Sequence, residues 1–561
     1  MTVYNWNFYT PPDPRGYNHN DVMILPDGSR WILSQGEGWT RTFLNIDPTT
    51  GSVVGLVGPD GVTVQPFQGQ SSYPAKNGID ELVIAASRPV QSGGKMLCRF
   101  KASEWTAQGG ATLADHSGFD ANGVITGVVP RSGIPTMLKI TSASDSGQGV
   151  SANGTALNTI LPSGKRLVNG WFGLLVYVET QPGFQPGGTL AGTLLVQLST
   201  NTSTGNGVYF SFNTNQSKEG WNFLVFRMRN TAAYVSGSGQ SEFHPFGMTV
   251  GSYGTGATSD VVNNDIQRID VLYSGTGITG TNIYLDSLWT DLNMQSQFVI
   301  GFDSSHSSVI NYALPAFNER GWKGYATINA NYWNGSSSRI WYDYSGTFPN
   351  HRILYNAGWE IVNHGLQHLP GDVATPKMGT LTDAGEILYE VVALDAIQRG
   401  NGFLRGAEFY VSPHSSTSRL AEKVIAEAGF KLQRHARKHN NYVLPWGIEN
   451  PRHLGAAEIG YTGGGVAQTT GGVASTVTGT ETITKLRRWV DVMIDYQASA
   501  FPFSHEIQTS GDDGAGGVTP SANNIMRSTF ELFATYVAEK EAAGLCRVRD
   551  GFSGFYYGTG R

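Results

Sequence analysis

Near Asn293 the hydrophobic rhythm of this 561-residue chain changes, and the two sides of that change cannot share one architecture. Before it, short apolar runs alternate apolar and polar positions: WFGLLVYVE, TLLVQLS, GVYFSFN, WNFLVFRMR, IQRIDVLYS and NIYLDSLWT. After it, strand-like runs (FVIGFD, GYATINA, WEIVNH, AEFYVS, ASAFPFSH) take turns with helix-like ones (VINYALPAFNERG, GEILYEVVALDAIQRG, RLAEKVIAEAGF, NIMRSTFELFATYVAEKEAAG). Period-2 strands with polar turns and no helical crossovers predict antiparallel layers, whereas alternating strand and helix predict parallel βα units. Roughly 260 residues is also the size of a (β/α) barrel, whose chemistry sits at the C-terminal ends of its strands.

The chain therefore reads as β plus α/β in three regions. Residues 1–75, rich in Pro and Gly with turn pairs at Asp27-Gly28 and Asp60-Gly61, form a β-rich arm suited to attachment. Residues 76–293 form an antiparallel β-sandwich, either sugar-binding or purely structural. The segment IQRIDVLYSGTGITGTNIYLDSLWTD resembles the closing strands of jelly-roll carbohydrate-binding modules. Residues 294–561 form the barrel, interrupted by the Gly/Thr-rich stretch 461–480, a loop near the site or an inert insertion.

Charge narrows the partners. Lys and Arg number 38 against 44 Asp and Glu, a net charge of −6, and the densest basic cluster is only Arg434 to Lys438. Phosphate backbones need more than that, so nucleic acid is not an expected partner and a neutral glycan is. Cys98 and Cys546 lie in different regions and encode neither a disulfide framework nor a thiolate metal site. No run of about 18 apolar residues and no basic-then-apolar leader is present, so neither membrane insertion nor signal-directed export is expected. An extracellular substrate would then be reached by lysis, by assembly into a particle, or with a leader already removed.

Three strand ends carry candidate chemistry. WEIVNHGLQH places His364 and His368 four apart directly after a strand, on one face if a helical turn follows. Two imidazoles on one face suit a borderline-soft cation such as zinc, although core or surface histidines share that spacing. FVIGFD ends at Asp303, followed by Ser304, Ser305 and His306, and FPFS ends at His505, followed by Glu506. Taken singly, such residues also serve as helix caps or satisfied core groups. Together they supply metal ligands, a carboxylate to take a proton from water and a histidine to return one, the roles metal-assisted hydrolysis requires.

Over roughly residues 296 to 558 the sequence resembles the polysaccharide deacetylases of the NodB-homology class, carbohydrate esterase family 4. Gly301-Phe302-Asp303-Ser304-Ser305 is similar to the family's T-F-D-D-G motif. Gly358-Trp359-Glu360-Ile361 with His364 and His368 resembles G-x-E-I followed by H-S/T-x-x-H, Val411-Ser412-Pro413-His414 resembles part of R-x-P-F/Y, and Phe503-Ser504-His505 resembles the late L-x-H strand. The resemblance implies a distorted barrel that hydrolyses acetyl groups from a glycan. It implies Asp303 as base, His364 and His368 as ligands of a divalent ion such as zinc, His505 as general acid, and the His414 N–H at the oxyanion.

Two departures accompany it. The second Asp of the first motif is Ser304, which leaves Asp303 itself or His306 to complete the ligand set, or a site that has lost its metal. The Arg of the third motif is Val411, so an orienting cation would come from Arg405, Arg434 or Arg452. Arg452 neighbours Trp446, a surface on which a sugar ring could stack, or else is a solvated loop residue. The architecture as a whole resembles a bacteriophage tailspike or receptor-binding protein. That implies a virion or extracellular location, docking of the N-terminal region to a phage tail, homotrimerisation, and an acetylated capsule or O-antigen as partner. The rival expectation is a non-catalytic glycan-binding adhesin with a decayed barrel, which Ser304 favours. A host enzyme acting on chitin or peptidoglycan is the third.

Overall fold

The computed structural model describes, with side chains, residues 97–116, 137–153, 156–158, 172–177, 193–199, 207–212, 222–226, 266–275, 277–290, 295–303, 306–329, 348–366, 378–379, 381–413, 416–418, 420–435, 451, 454–459, 483–484, 486–516 and 524–557. Further strands and helix ends are described by backbone alone. The chain divides into two compact units, residues 1–88 and 89–561. In the first, short strands between Val3 and Pro66 form one four-stranded and one three-stranded sheet.

In the second unit, residues up to Thr290 form two six-stranded sheets, antiparallel throughout. One centres on Asn282–Thr290, flanked by Met137–Thr141 and Trp171–Val178. The other centres on Gly192–Ser199 and Arg268–Gly275. Alternation in the sequence becomes burial where the sheets meet: Phe210 of the second packs on Phe226 of the first, ring centroids 4.7 Å apart. Gly173 is required by its neighbour, because a Cβ there would lie 2.0 Å from the Phe223 ring.

After Gln295 seven parallel strands close a barrel: β1 (Gly301–Phe302), β2 (Tyr325–Ile328), β3 (Glu360–Asn363), β4 (Phe409–Val411), β5 (Leu432–Ala436), β6 (Leu454–Glu458) and β7 (Pro502–Ser504), in that order round the ring. Helices α1 (Leu314–Arg320), α2 (Pro349–Asn356), α3 (Ala384–Gly400), α4 (Arg419–Glu427), α5 (Thr482–Asp495), α6 (Arg527–Ala542) and α7 (Gly551–Tyr556) lie between and after these strands in the chain. Their ends follow ordinary capping chemistry. Asp383 accepts the Gly385 and Glu386 N–H groups ahead of α3, Ser418 accepts that of Ala421 ahead of α4, and Gly321 ends α1 with φ +66°.

An aromatic ladder joins barrel to helices. Phe302 of β1 stacks on Trp359, which stacks on Phe317 of α1 with centroids 4.9 Å apart, and Phe317 stacks on Phe530 of α6. At the opposite end of β3 from the mouth, buried Glu360 accepts the Phe552 and Ser553 N–H groups at 2.6 and 2.9 Å. This ties α7 beneath the barrel. A Cβ of any other residue than glycine at position 551 would stand 2.4 Å from the Glu360 carboxyl carbon, and φ there is +65°.

Candidate active site

Parallel strands carry their C-terminal ends to one rim, so the closed ring brings together residues far apart in sequence. Asp303 follows β1, His364 follows β3, Glu458 ends β6 and His505 follows β7. Strands β6, β7 and β1 are consecutive: Glu458 is in register with Phe503, and Phe302 with Ser504. The Asp303 N–H donates to the Ser504 carbonyl at 2.8 Å, fixing the aspartate beside the histidine-bearing strand.

Asp303 is 5% exposed and pairs with Arg434 of β5, whose Nη2 donates to both carboxylate oxygens. Arg434 is 1% exposed and reaches across the barrel interior, its guanidinium 4.1 Å from the Phe503 ring centroid and 6.0 Å from that of Tyr325. Burial works against its charge, but the Asp303 carboxylate outweighs that and holds the guanidinium above the ordinary arginine range. Of the three arginines named from sequence, Arg434 therefore takes the orienting place. Arg405 instead donates to the Tyr355 and Trp359 carbonyls, and Arg452 lies outside the described residues.

Room for this pair comes from Gly301. The Tyr325 ring stands where a residue 301 Cβ would be, 2.2 Å from it, and burial pushes the Tyr325 phenol well above its usual range. Its hydroxyl, Arg434 Nε and Nη1 and Ser504 Oγ are all buried without a protein partner. A polar interior of this kind is where buried water is held.

His364 is 2% exposed, and its Nδ1 lies 2.8 Å from the Val411 carbonyl oxygen. A carbonyl only accepts, so Nδ1 carries the proton and the neutral ring keeps its lone pair on Nε2, the arrangement of a metal-ligating histidine. Among the described residues, His364 to Leu366 are not helical: Gly365 takes φ +74°, its N–H is held by the Asn363 side chain at 3.0 Å, and the Leu366 N–H turns to the Glu390 carbonyl at 2.9 Å. The left-handed glycine takes His364 out of any helical turn that follows.

His505 stands beside a residue that sequence reasoning missed: its Nδ1 lies 3.5 Å from Glu458 Oε1, near without a hydrogen bond, with Glu458 nearly buried. The signal was the run LGAAE, whose terminal acid follows four small or apolar residues. His306 meets Glu506 at 3.7 Å on the same rim. His368, His414, Trp446 and Ser304 lie outside the described residues. Among the described residues no group of three or more His, Cys, Asp or Glu side chains is placed to hold a metal ion. With both Asp303 oxygens taken by Arg434, the described donors do not make a complete zinc site.

No protein-family model matches the sequence, and no curated protein does. Among solved structures the chain is similar to a family 4 carbohydrate esterase from Streptomyces lividans in complex with acetate (12% identity, 46% of this chain and 91% of that one, TM-score 0.24). It is similar to a chitin deacetylase from Colletotrichum lindemuthianum (12%, 38% and 74%, TM-score 0.25). It is also similar to a family 4 pseudoenzyme from Bacillus anthracis (10%, 45% and 63%, TM-score 0.28). At these scores the likeness decides nothing about chemistry, which stands on the geometry above.

Proposed function

We propose that the chain is a carbohydrate deacetylase, hydrolysing acetyl groups from a polysaccharide at the mouth of its barrel. The observation that carries this reading is the gathering of two acid–base groups at one mouth: Asp303 pairs with Arg434 across the barrel, and His505 stands 3.5 Å from Glu458 of the neighbouring strand. Asp303, positioned by Arg434, takes the proton of a water that attacks the acetyl carbonyl. His505, with the Glu458 carboxylate beside it, gives a proton to the departing sugar oxygen or nitrogen as its bond to the acetyl carbon breaks, and acetate leaves.

The low charge density and net charge of −6 support a neutral glycan as substrate and give no support to nucleic acid. An acetylated bacterial capsule or O-antigen is the substrate of this reading, with the 1–88 unit serving attachment and three copies assembling as in a phage tailspike; the separate N-terminal unit supports this arrangement. The adhesin reading draws on Ser304 at the ligand position and on the incomplete donor set. Acetate release measured across a panel of acetylated polysaccharides separates the two: release from one or more supports the deacetylase, and binding with no release supports the adhesin. Zinc content of the purified chain is a second measurement. About one zinc per chain, lost in His364→Ala, identifies His364 as a ligand, and a zinc content unchanged in that variant removes it from that role.

A further inference from the structure

The solvent side of α3 is apolar where the outer face of a barrel helix ordinarily carries charge. Gly385, Leu388, Tyr389, Val392, Ala396 and Gly400 share that face at helical spacing. Leu388, Tyr389 and Val392 are 43%, 59% and 44% exposed, and a Cβ at Gly400 would meet nothing within 4 Å. The opposite face is buried, Ile387 and Val391 packing with Tyr410 of β4 and Ile425 of α4. Exposed Leu404 lies just past the helix, and exposed Ile353 follows Arg352, which donates to the Asn401 carbonyl at its end.

The pattern along this face is complementary to itself when turned around. Val392 is the central residue of Ala384–Gly400, with large exposed side chains before it and small ones, Ala396 and Gly400, after it. A twofold axis at Val392, with two helices antiparallel, lays Leu388 of each copy over Ala396 of the other, bulk against space. Charge follows the same order. The N-terminal end carries Asp383 and Glu386. The C-terminal end carries Arg399, bonded to Asp395, with Arg352 on the Asn401 carbonyl and Arg405 on the Trp359 carbonyl nearby. Antiparallel pairing sets acidic end on basic end, whereas parallel pairing would set like on like.

We propose that α3 is the face through which two copies of this chain pair, antiparallel about Val392. Association takes Leu388, Tyr389 and Val392 out of water, which drives it, and the end charges fix its direction. The proposal does not depend on the deacetylase reading. A twofold contact also coexists with a threefold assembly: alone it gives a dimer, with the other a hexamer, and in both cases an even number of copies.

Light scattering on the full-length chain over a concentration series tests this, with circular dichroism reporting the fold of each variant. The wild-type chain has the mass of an even number of copies, and Val392→Glu, which brings two like charges together at the axis, halves that mass. Direction is read by mild oxidation. Val392→Cys gives a covalent dimer beyond any wild-type background, and Gly400→Cys, which the antiparallel arrangement holds far from its counterpart, gives none. A wild-type monomer or trimer overturns the pairing and leaves the face to a different partner. An unchanged mass in folded Val392→Glu overturns it as well, and so does cross-linking through Gly400→Cys in preference to Val392→Cys.

Discussion

Buried Asp303 is paired with a fixed cation, Arg434, which reaches it from the far side of the barrel. The guanidinium is committed in turn, with Phe503 beneath it and two nitrogens lacking a protein partner. Removing one member of such a pair leaves the other charged and buried. Arg434→Leu is therefore expected to lower stability by about 3–5 kcal/mol and to abolish acetate release, measured by denaturant unfolding and acetate assay. A variant of wild-type stability would show that the pair is not what holds the mouth together. The sequence showed Asp303 as a strand-end acid, because FVIGFD is apolar up to it. Arg434 was one of three arginines offered for the orienting place, and nothing singled it out, since QRHARK looks solvated when read linearly. In the fold, Gln433 and His435 turn toward Glu422 of α4 while Arg434 between them turns inward.

At the scale of elements, the strand-and-helix rhythm after Asn293 translates closely: GYATINA contains β2, AEFYVS contains β4, and GEILYEVVALDAIQRG spans α3 almost end to end. Strands β5 and β6 escaped because LQRHA and LGAAE lack the β-branched and aromatic residues that mark a strand. Those two strands carry Arg434 and Glu458, which is why Glu458 went unread and nothing singled out Arg434 among the candidate arginines.

Element packing also sets a pH response. His351 of α2 is buried with Nε2 donating to the Thr327 carbonyl of β2 at 3.0 Å, and burial pushes its pKa down to about 4 from 6.5. A depressed folded pKa contributes stability that is present above 6.5 and lost as pH falls through 4, roughly 3 kcal/mol in all. Glu360 has the opposite sign. Burial pushes it up to about 7 from 4.5, so its contribution is present below 4.5 and fades as pH rises through 7. Comparison with His351→Gln isolates the first effect: wild-type stability falls more steeply than the variant's between pH 6.5 and 4. Equal slopes in the two would contradict it.

Over the whole molecule, one rim gathers the ends of β1, β3, β6 and β7, and the chemistry depends on closure of the ring that makes them neighbours. No single stretch of sequence contains that site, although the order of its pieces along the chain was readable. The most direct test is acetate release by Asp303→Asn from whichever glycan the wild-type chain deacetylates, at a temperature where both are folded by circular dichroism. Loss of the general base predicts a fall of about 10²-fold or more with the fold retained. Release by the folded variant at the wild-type rate would contradict the account.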